Sequence, residues 1–106
     1  MLPIVASTIV AAALALAGSG MARADTAKGG MLAAQLCAGC HAVRVGQTSP
    51  KPEAPPFATV AGSAKWNIFT LRPYLRTPHW TSTNLSLKAD DIDDLVGYIM
   101  SLRPRP

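Results

Sequence analysis

The 106-residue chain combines one long apolar run with three later stretches in which apolar residues recur at helical spacing. The run, Leu2 to Ala17, is almost wholly apolar, is broken by Gly18-Ser19-Gly20, and is followed by the small-x-small triplet Ala22-Arg23-Ala24. At 16 residues it falls short of the roughly 20 that span a bilayer. The pattern predicts an export signal over residues 1–24, cleaved after Ala24. Its one irregular feature is that no Lys or Arg precedes the apolar core, so the amino terminus alone supplies positive charge. The competing reading is a retained membrane anchor.

Beyond the signal, a first helix is expected from Thr26 or Ala27 to Ala38, with Leu32 and Leu36 four apart on one face. Gly29, Gly30 and Ala33 make another face thin enough for a second helix to cross closely. Alternatively, Gly29-Gly30 marks only the helix start. From Val43 to about Val60 the chain carries Gly46, Pro50, Pro52, Pro55 and Pro56, which predict a loop. A second helix is expected over Trp66–Arg76, with Ile68, Leu71 and Leu75 on one face and Asn67 as its cap. Pro73 is expected to break or kink it. The last helix has the cleanest pattern, with Ile92, Leu95, Val96, Ile99 and Leu102 on one face and Pro104 as its stop. Asp90, Asp91, Asp93 and Asp94 crowd its first two turns and suit the positive end of the helix dipole. No convincing strand pattern is present, so the fold class is all-α.

Cleavage after Ala24 leaves Asp25–Pro106, 82 residues, as one small domain with no apolar run long enough to span a membrane. The charge of the whole chain is +4; loss of Arg23 leaves nine basic against six acidic residues, or +3. So mild a charge, without a basic-aromatic stripe, excludes a nucleic-acid partner from the reading. A domain this small needs a staple or a cofactor to complete its core.

The chemistry that answers this need is in Cys37-Ala38-Gly39-Cys40-His41. Two thiols three residues apart with an adjacent imidazole read as c-type haem attachment. On one turn each sulfur can bond one vinyl group of a porphyrin, and His41 can turn beneath the iron. Three rivals stand beside this: a disulfide, an exported thiol oxidoreductase, and zinc. Redox CxxC sites favour strand-to-helix junctions, which are missing. For zinc, Cys37, Cys40, His41 and His79 make a set of four, but the usual C-x₂-C…H-x₃₋₅-H spacing is absent. A metal-bound histidine commonly donates its second N–H to a backbone carbonyl; Pro55 is the candidate acceptor, with Pro56 close behind.

Four segments in this order resemble the class I c-type cytochromes: the helix ending in Cys37-Ala38-Gly39-Cys40-His41, then Ala54-Pro55-Pro56-Phe57, Thr77-Pro78-His79, and Asp94 through Leu102. The resemblance covers nearly all of residues 25–106. It implies a cytochrome c-like fold, with three main helices and long loops around one covalently attached haem. It implies that the first and last helices cross, with Gly29 and Ala33 against Leu95 and Tyr98. It implies that Cys37 and Cys40 are the thioether attachments, His41 the proximal iron ligand and Pro55 its carbonyl partner. Phe57, Leu71, Leu75, Leu95 and Ile99 would line the pocket, and Trp66 or Arg44 would meet a propionate. The implied function is single-electron transfer in the periplasm, not enzymatic catalysis. The implied partners are redox proteins: a dehydrogenase, an oxidase or another cytochrome. Lys28, Lys51, Lys65, Arg72 and Arg76 are candidates for a docking rim, and the protein would be a monomer or a small subunit of a complex.

The chain departs from the family in one place. Many relatives read Thr-Pro-His-x-x-Met-Pro-Asn ahead of the last helix, and the methionine is the distal ligand. Here the stretch is Thr77-Pro78-His79-Trp80-Thr81-Ser82-Thr83-Asn84, so Ser82 takes the methionine's place. Met31 and Met100, the methionines outside the signal, read as packing residues. The sixth ligand is left open among His79, water, a vacant site, a partner's side chain and, more remotely, Lys88. The alternative function is a five-coordinate haem protein that binds a small gas beside Ser82, Thr81 and His79.

Overall fold

The computed structural model describes residues 2–5, 24–77 and 87–105. The stretch containing His79, Thr81 and Ser82 lies outside the described residues, as does most of the segment expected to be an export signal. Four helices are present: α1 (Thr26–Leu36), α2 (Phe57–Gly62), α3 (Ile68–Arg76) and α4 (Ala89–Ser101). Among the described residues there is no strand, and no helix is long and apolar enough to cross a membrane. The all-α, cytochrome c-like expectation holds, with one short helix more than the three foreseen.

α4 is the hub against which α1, α2 and α3 all pack. Its buried face is Ile92, Leu95, Val96 and Ile99. These join Ala33, Val43, Phe57, Ala61 and Leu71 in one core, with Leu32, Trp66, Leu75, Tyr98 and Met100 packed around it. α1 meets α4 through its thin face, since its buried residues are Gly29 and Ala33, while Leu36 is exposed. A side chain at Gly29 would collide with the Asp94 carbonyl and lie 2.8 Å from Tyr98 Cβ. The glycine is there because two helix backbones touch. Met31, expected to pack, is instead 63% exposed; Met100 does pack against the core.

Two local expectations are refined by the structure, and a third is extended. The loop expected to reach Val60 gives way at Phe57 to α2. Pro56 starts this helix, its carbonyl accepting from the amides of Thr59 (3.0 Å) and Val60 (3.1 Å). Phe57 and Ala61, four apart, form its buried face, and Arg103 Nε donates to the Ala61 carbonyl at its far end (3.0 Å). Proline ahead of a helix removes an amide that has no intrahelical partner, so the Pro-rich run ends as a helix start. Second, Pro73 does not end α3, which continues to Arg76. Pro73 and Phe69, whose carbonyl loses its amide partner, are both exposed, so water can serve that carbonyl. The start of α3 is firmly held. Asn67 Oδ1 accepts from the amides of Phe69 (2.8 Å) and Thr70 (3.1 Å), and Thr70 Oγ1 accepts from Asn67 N–H (2.9 Å). This reciprocal arrangement is a capping box.

Third, the aspartates do more than answer a dipole. Asp93 pairs with Arg72 of α3 at 2.8 Å. Lys28 of α1 lies 3.4 Å from Asp91 and 3.5 Å from Asp94. Asp94, though only 9% exposed, also accepts from the Asp25 backbone N–H at 2.8 Å. The acids therefore link α4 to both of its long neighbours. Asp91, through its hydrogen bond and charge, and then Asp94 hold Lys28 above the ordinary lysine range. A raised folded-state value adds stability below the ordinary lysine pKa of about 10.4, lost as the pH climbs through the folded value. Lys28→Met is expected to lower the melting temperature at pH 7–9, with mutant and parent curves converging at more alkaline pH.

Candidate functional site

The end of α1 is built to present a turn. The amides of Cys37 (2.9 Å) and Ala38 (3.0 Å) share the Ala33 carbonyl, which widens the last turn and ends regular helix at Leu36, two residues before the expected Ala38. The amides of Cys40 (3.1 Å) and His41 (2.9 Å) then close on the Cys37 carbonyl. Both cysteines and His41 are thereby held on one compact turn, each half-buried.

The loop after this turn folds back onto it. Ser49 Oγ accepts from Ala42 N–H (2.9 Å), Lys51 N–H reaches the Cys40 carbonyl (3.1 Å), and Phe57 N–H reaches the Ala42 carbonyl (2.9 Å). Tyr98 of α4 fixes the outer side by donating its hydroxyl to the Val43 carbonyl at 2.5 Å. The result brings the Pro55 carbonyl within 2.7 Å of His41 Nδ1. A carbonyl only accepts, so Nδ1 carries the proton and the ring's lone pair is on Nε2. The Phe57 ring lies 5.1 Å from the imidazole, tilted by 43°, and narrows its rotation. Sequence alone did not indicate Tyr98 or Asp94 as supports, because their contacts join segments 55 and 69 residues apart in the chain; Ser49 acts only seven residues from Ala42, but within a loop that has no periodic pattern.

Cys37 and Cys40 are free thiols. Burial, and secondarily the neighbouring Cys40, pushes the Cys37 thiol up to about 11. A nucleophilic redox cysteine needs its thiolate favoured, and this environment does the reverse. Among the described residues no group of three or more His, Cys, Asp or Glu side chains could hold a metal ion, so Cys37, Cys40 and His41 do not converge as a zinc site. Two thiols on one turn and a tautomer-fixed imidazole beside an apolar core fit a covalently held haem. Phe57, Leu71, Leu95 and Ile99 belong to that core, with Leu75 at its edge. Trp66 packs against it and stands edge-on to Tyr74 at 4.9 Å between ring centroids, with the Lys65 ammonium 5.4 Å from its ring. Arg44 is exposed. Of the candidate docking cations, Lys28 and Arg72 are engaged in ion pairs with α4.

A fold that is all-helical among the described residues, and whose first helix crosses the last and ends in a CxxCH turn, defines a haem-bearing class. The chain is 35% identical over 92 residues to cytochrome c-552 of Bradyrhizobium diazoefficiens, an alignment covering 87% of this chain and 88% of that protein. The chain belongs to the class I c-type cytochromes. No family model matches it. No solved structure matches it either.

Proposed function

We propose that this chain is an exported monohaem cytochrome, cleaved after Ala24, that carries single electrons between periplasmic redox proteins. The observation that carries this reading is the 2.7 Å hydrogen bond between His41 Nδ1 and the Pro55 carbonyl, beside two thiols on one turn. Cys37 and Cys40 are the thioether attachments, His41 is the proximal ligand through Nε2, and Trp66 is a contact for a propionate. Bound here, the haem supplies a one-electron iron couple. The protein's part is to hold that centre still. Pro55 and Phe57 keep His41 in one orientation, and the side chains of Leu71, Leu95 and Ile99 exclude water. A centre whose surroundings need not rearrange exchanges electrons with little cost. The partners are a dehydrogenase, an oxidase or another cytochrome.

Ser82, in the place of the usual methionine, favours a second reading: an open distal face that binds a small gas. Loss of methionine ligation lowers the potential within the roughly 0.8 V that axial ligands command. Carbon monoxide separates the readings. A carrier with two protein ligands leaves the reduced spectrum unchanged on addition of the gas, whereas rapid stoichiometric binding supports the open site. His79→Ala tests the substitute ligand: a change from low to high spin by EPR assigns His79 to the iron, and an unchanged spectrum removes it.

A further inference from the structure

Ala24 and Asp25, where the signal would end, are both seated on α4. The Asp25 nitrogen donates to Asp94 Oδ1 at 2.8 Å, and Asp94 is the buried acid of the helix. Ala24 fills the space beside Gly97: a Cβ added at Gly97 would lie 2.5 Å from Ala24 Cβ, but 3.8 Å from Thr26 Cγ2, its nearest neighbour outside Ala24.

We propose that hydrolysis of the Ala24–Asp25 bond creates a salt bridge, in which the new α-ammonium of Asp25 pairs with the Asp94 carboxylate and locks α1 onto α4. The inference rests on the assignment of cleavage after Ala24. The step needs water and a peptidase that accepts small residues at the positions of Ala22 and Ala24. The amide C–N bond breaks, the water oxygen joins the Ala24 carboxylate, and the freed nitrogen takes up protons. With an ordinary α-amino pKa of about 7.7–8.0, that nitrogen is mostly ammonium at neutral pH. It already stands at hydrogen-bonding distance from Asp94, so cleavage converts a neutral donor into a charged one without rearrangement.

Other charges bear on the pair. An ammonium at the start of α1 opposes that helix's dipole. The Asp25 carboxylate, which accepts from Lys28 N–H at 3.0 Å, and Asp91 and Asp94 on α4 offset this, while Asp90 adds a more distant negative charge. Lys28 shares Asp94 but is held above the ordinary lysine range, so it titrates in a higher window. The phenol of Tyr98 is occupied by the Val43 carbonyl. Pairing raises the α-amine's folded-state pKa. As long as Asp94 is ionised, its stabilisation is therefore complete below about pH 7.7 and lost as the pH rises through the folded value.

The test uses periplasmic holoprotein in two lengths: as naturally processed, and with the signal joined upstream so that the chain begins at Arg23. N-terminal sequencing of the first form should begin at Asp25; any other first residue overturns both the cleavage assignment and the pairing. At pH 6–7, Asp94→Asn or the two-residue extension should each lower the melting temperature by roughly 5 °C or more. Combined, they should do little more than either alone. The advantage of the processed form should shrink between about pH 8 and 10. Equal melting temperatures and pH profiles for the two lengths, with Asp25 as first residue, overturn the pairing alone. Gly97→Ala provides a second check independent of charge. It should be tolerated in the processed protein, where Ala24 is gone, and should destabilise the extended form that keeps it; equal loss in both counts against the proposal.

Discussion

Gly29→Val should abolish accumulation of folded holoprotein. The atoms that a side chain would meet at Gly29 are the Asp94 carbonyl oxygen and its carbon at 2.6 Å, both backbone, followed by Tyr98 Cβ at 2.8 Å. Backbone inside a packed helix cannot rotate aside, so α1 must lift from α4. Overpacking alone costs about 1–3 kcal/mol, and separation also forfeits the Asp25–Asp94 hydrogen bond and the Lys28 ion pairs. The roughly 1 kcal/mol gained by removing a helical glycine does not offset this. A domain this small has a margin of only a few kcal/mol. Even Gly29→Ala should lower the urea midpoint substantially. Gly62→Ala is the control, because a Cβ at Gly62, at the end of α2, meets nothing within 4 Å; it should leave yield and midpoint near the parent values.

The difference between these glycines also marks what the sequence could and could not convey. The apolar rhythm of α4 and the Asn67 cap of α3 are legible because each depends on residues within two turns of one another. Family membership was legible for the same reason: CxxCH is a local signature in a fixed order. The six-residue α2 was missed because prolines at 50, 52, 55 and 56 dominate the local signal, and a helix of under two turns leaves only the Phe57–Ala61 spacing to detect. Pro73 leaves the choice between a break and a kink open in the sequence, since its exposure on α3, which lets the helix run on to Arg76, is a tertiary fact. Asp94 is the most instructive case. Four aspartates near a helix start already have a sufficient local explanation, so nothing in the sequence indicates that one of them is buried against α1. Its partner, the Asp25 nitrogen, is 69 residues away. Pro55, by contrast, is named by the sequence as the candidate acceptor for His41, and its carbonyl reaches the ring through a loop that the Lys51, Ser49 and Phe57 hydrogen bonds fold back on the motif.

Replacing both Cys37 and Cys40 with serine should reduce covalently bound haem to background. Serine is close in size to cysteine, and the turn is closed by backbone bonds to the Cys37 carbonyl rather than by the thiols. The substitution therefore spares local geometry and removes only the sulfurs able to form thioethers. Intact-mass measurement of the purified variant should give the bare polypeptide, and any haem still associated should leave in acid-acetone. The parent should retain its haem through the same extraction. Either single substitution keeps one sulfur, the His41–Pro55 hydrogen bond and the Phe57 contact, so it should leave a reduced but measurable covalent fraction. The gradation separates attachment from folding: a purely structural role for the cysteines predicts loss of protein in all three variants, with whatever protein survives carrying its full haem. Haem that withstands extraction in the double variant would show that the sulfurs are not its anchor, and the assignment of Cys37 and Cys40 would fall with it.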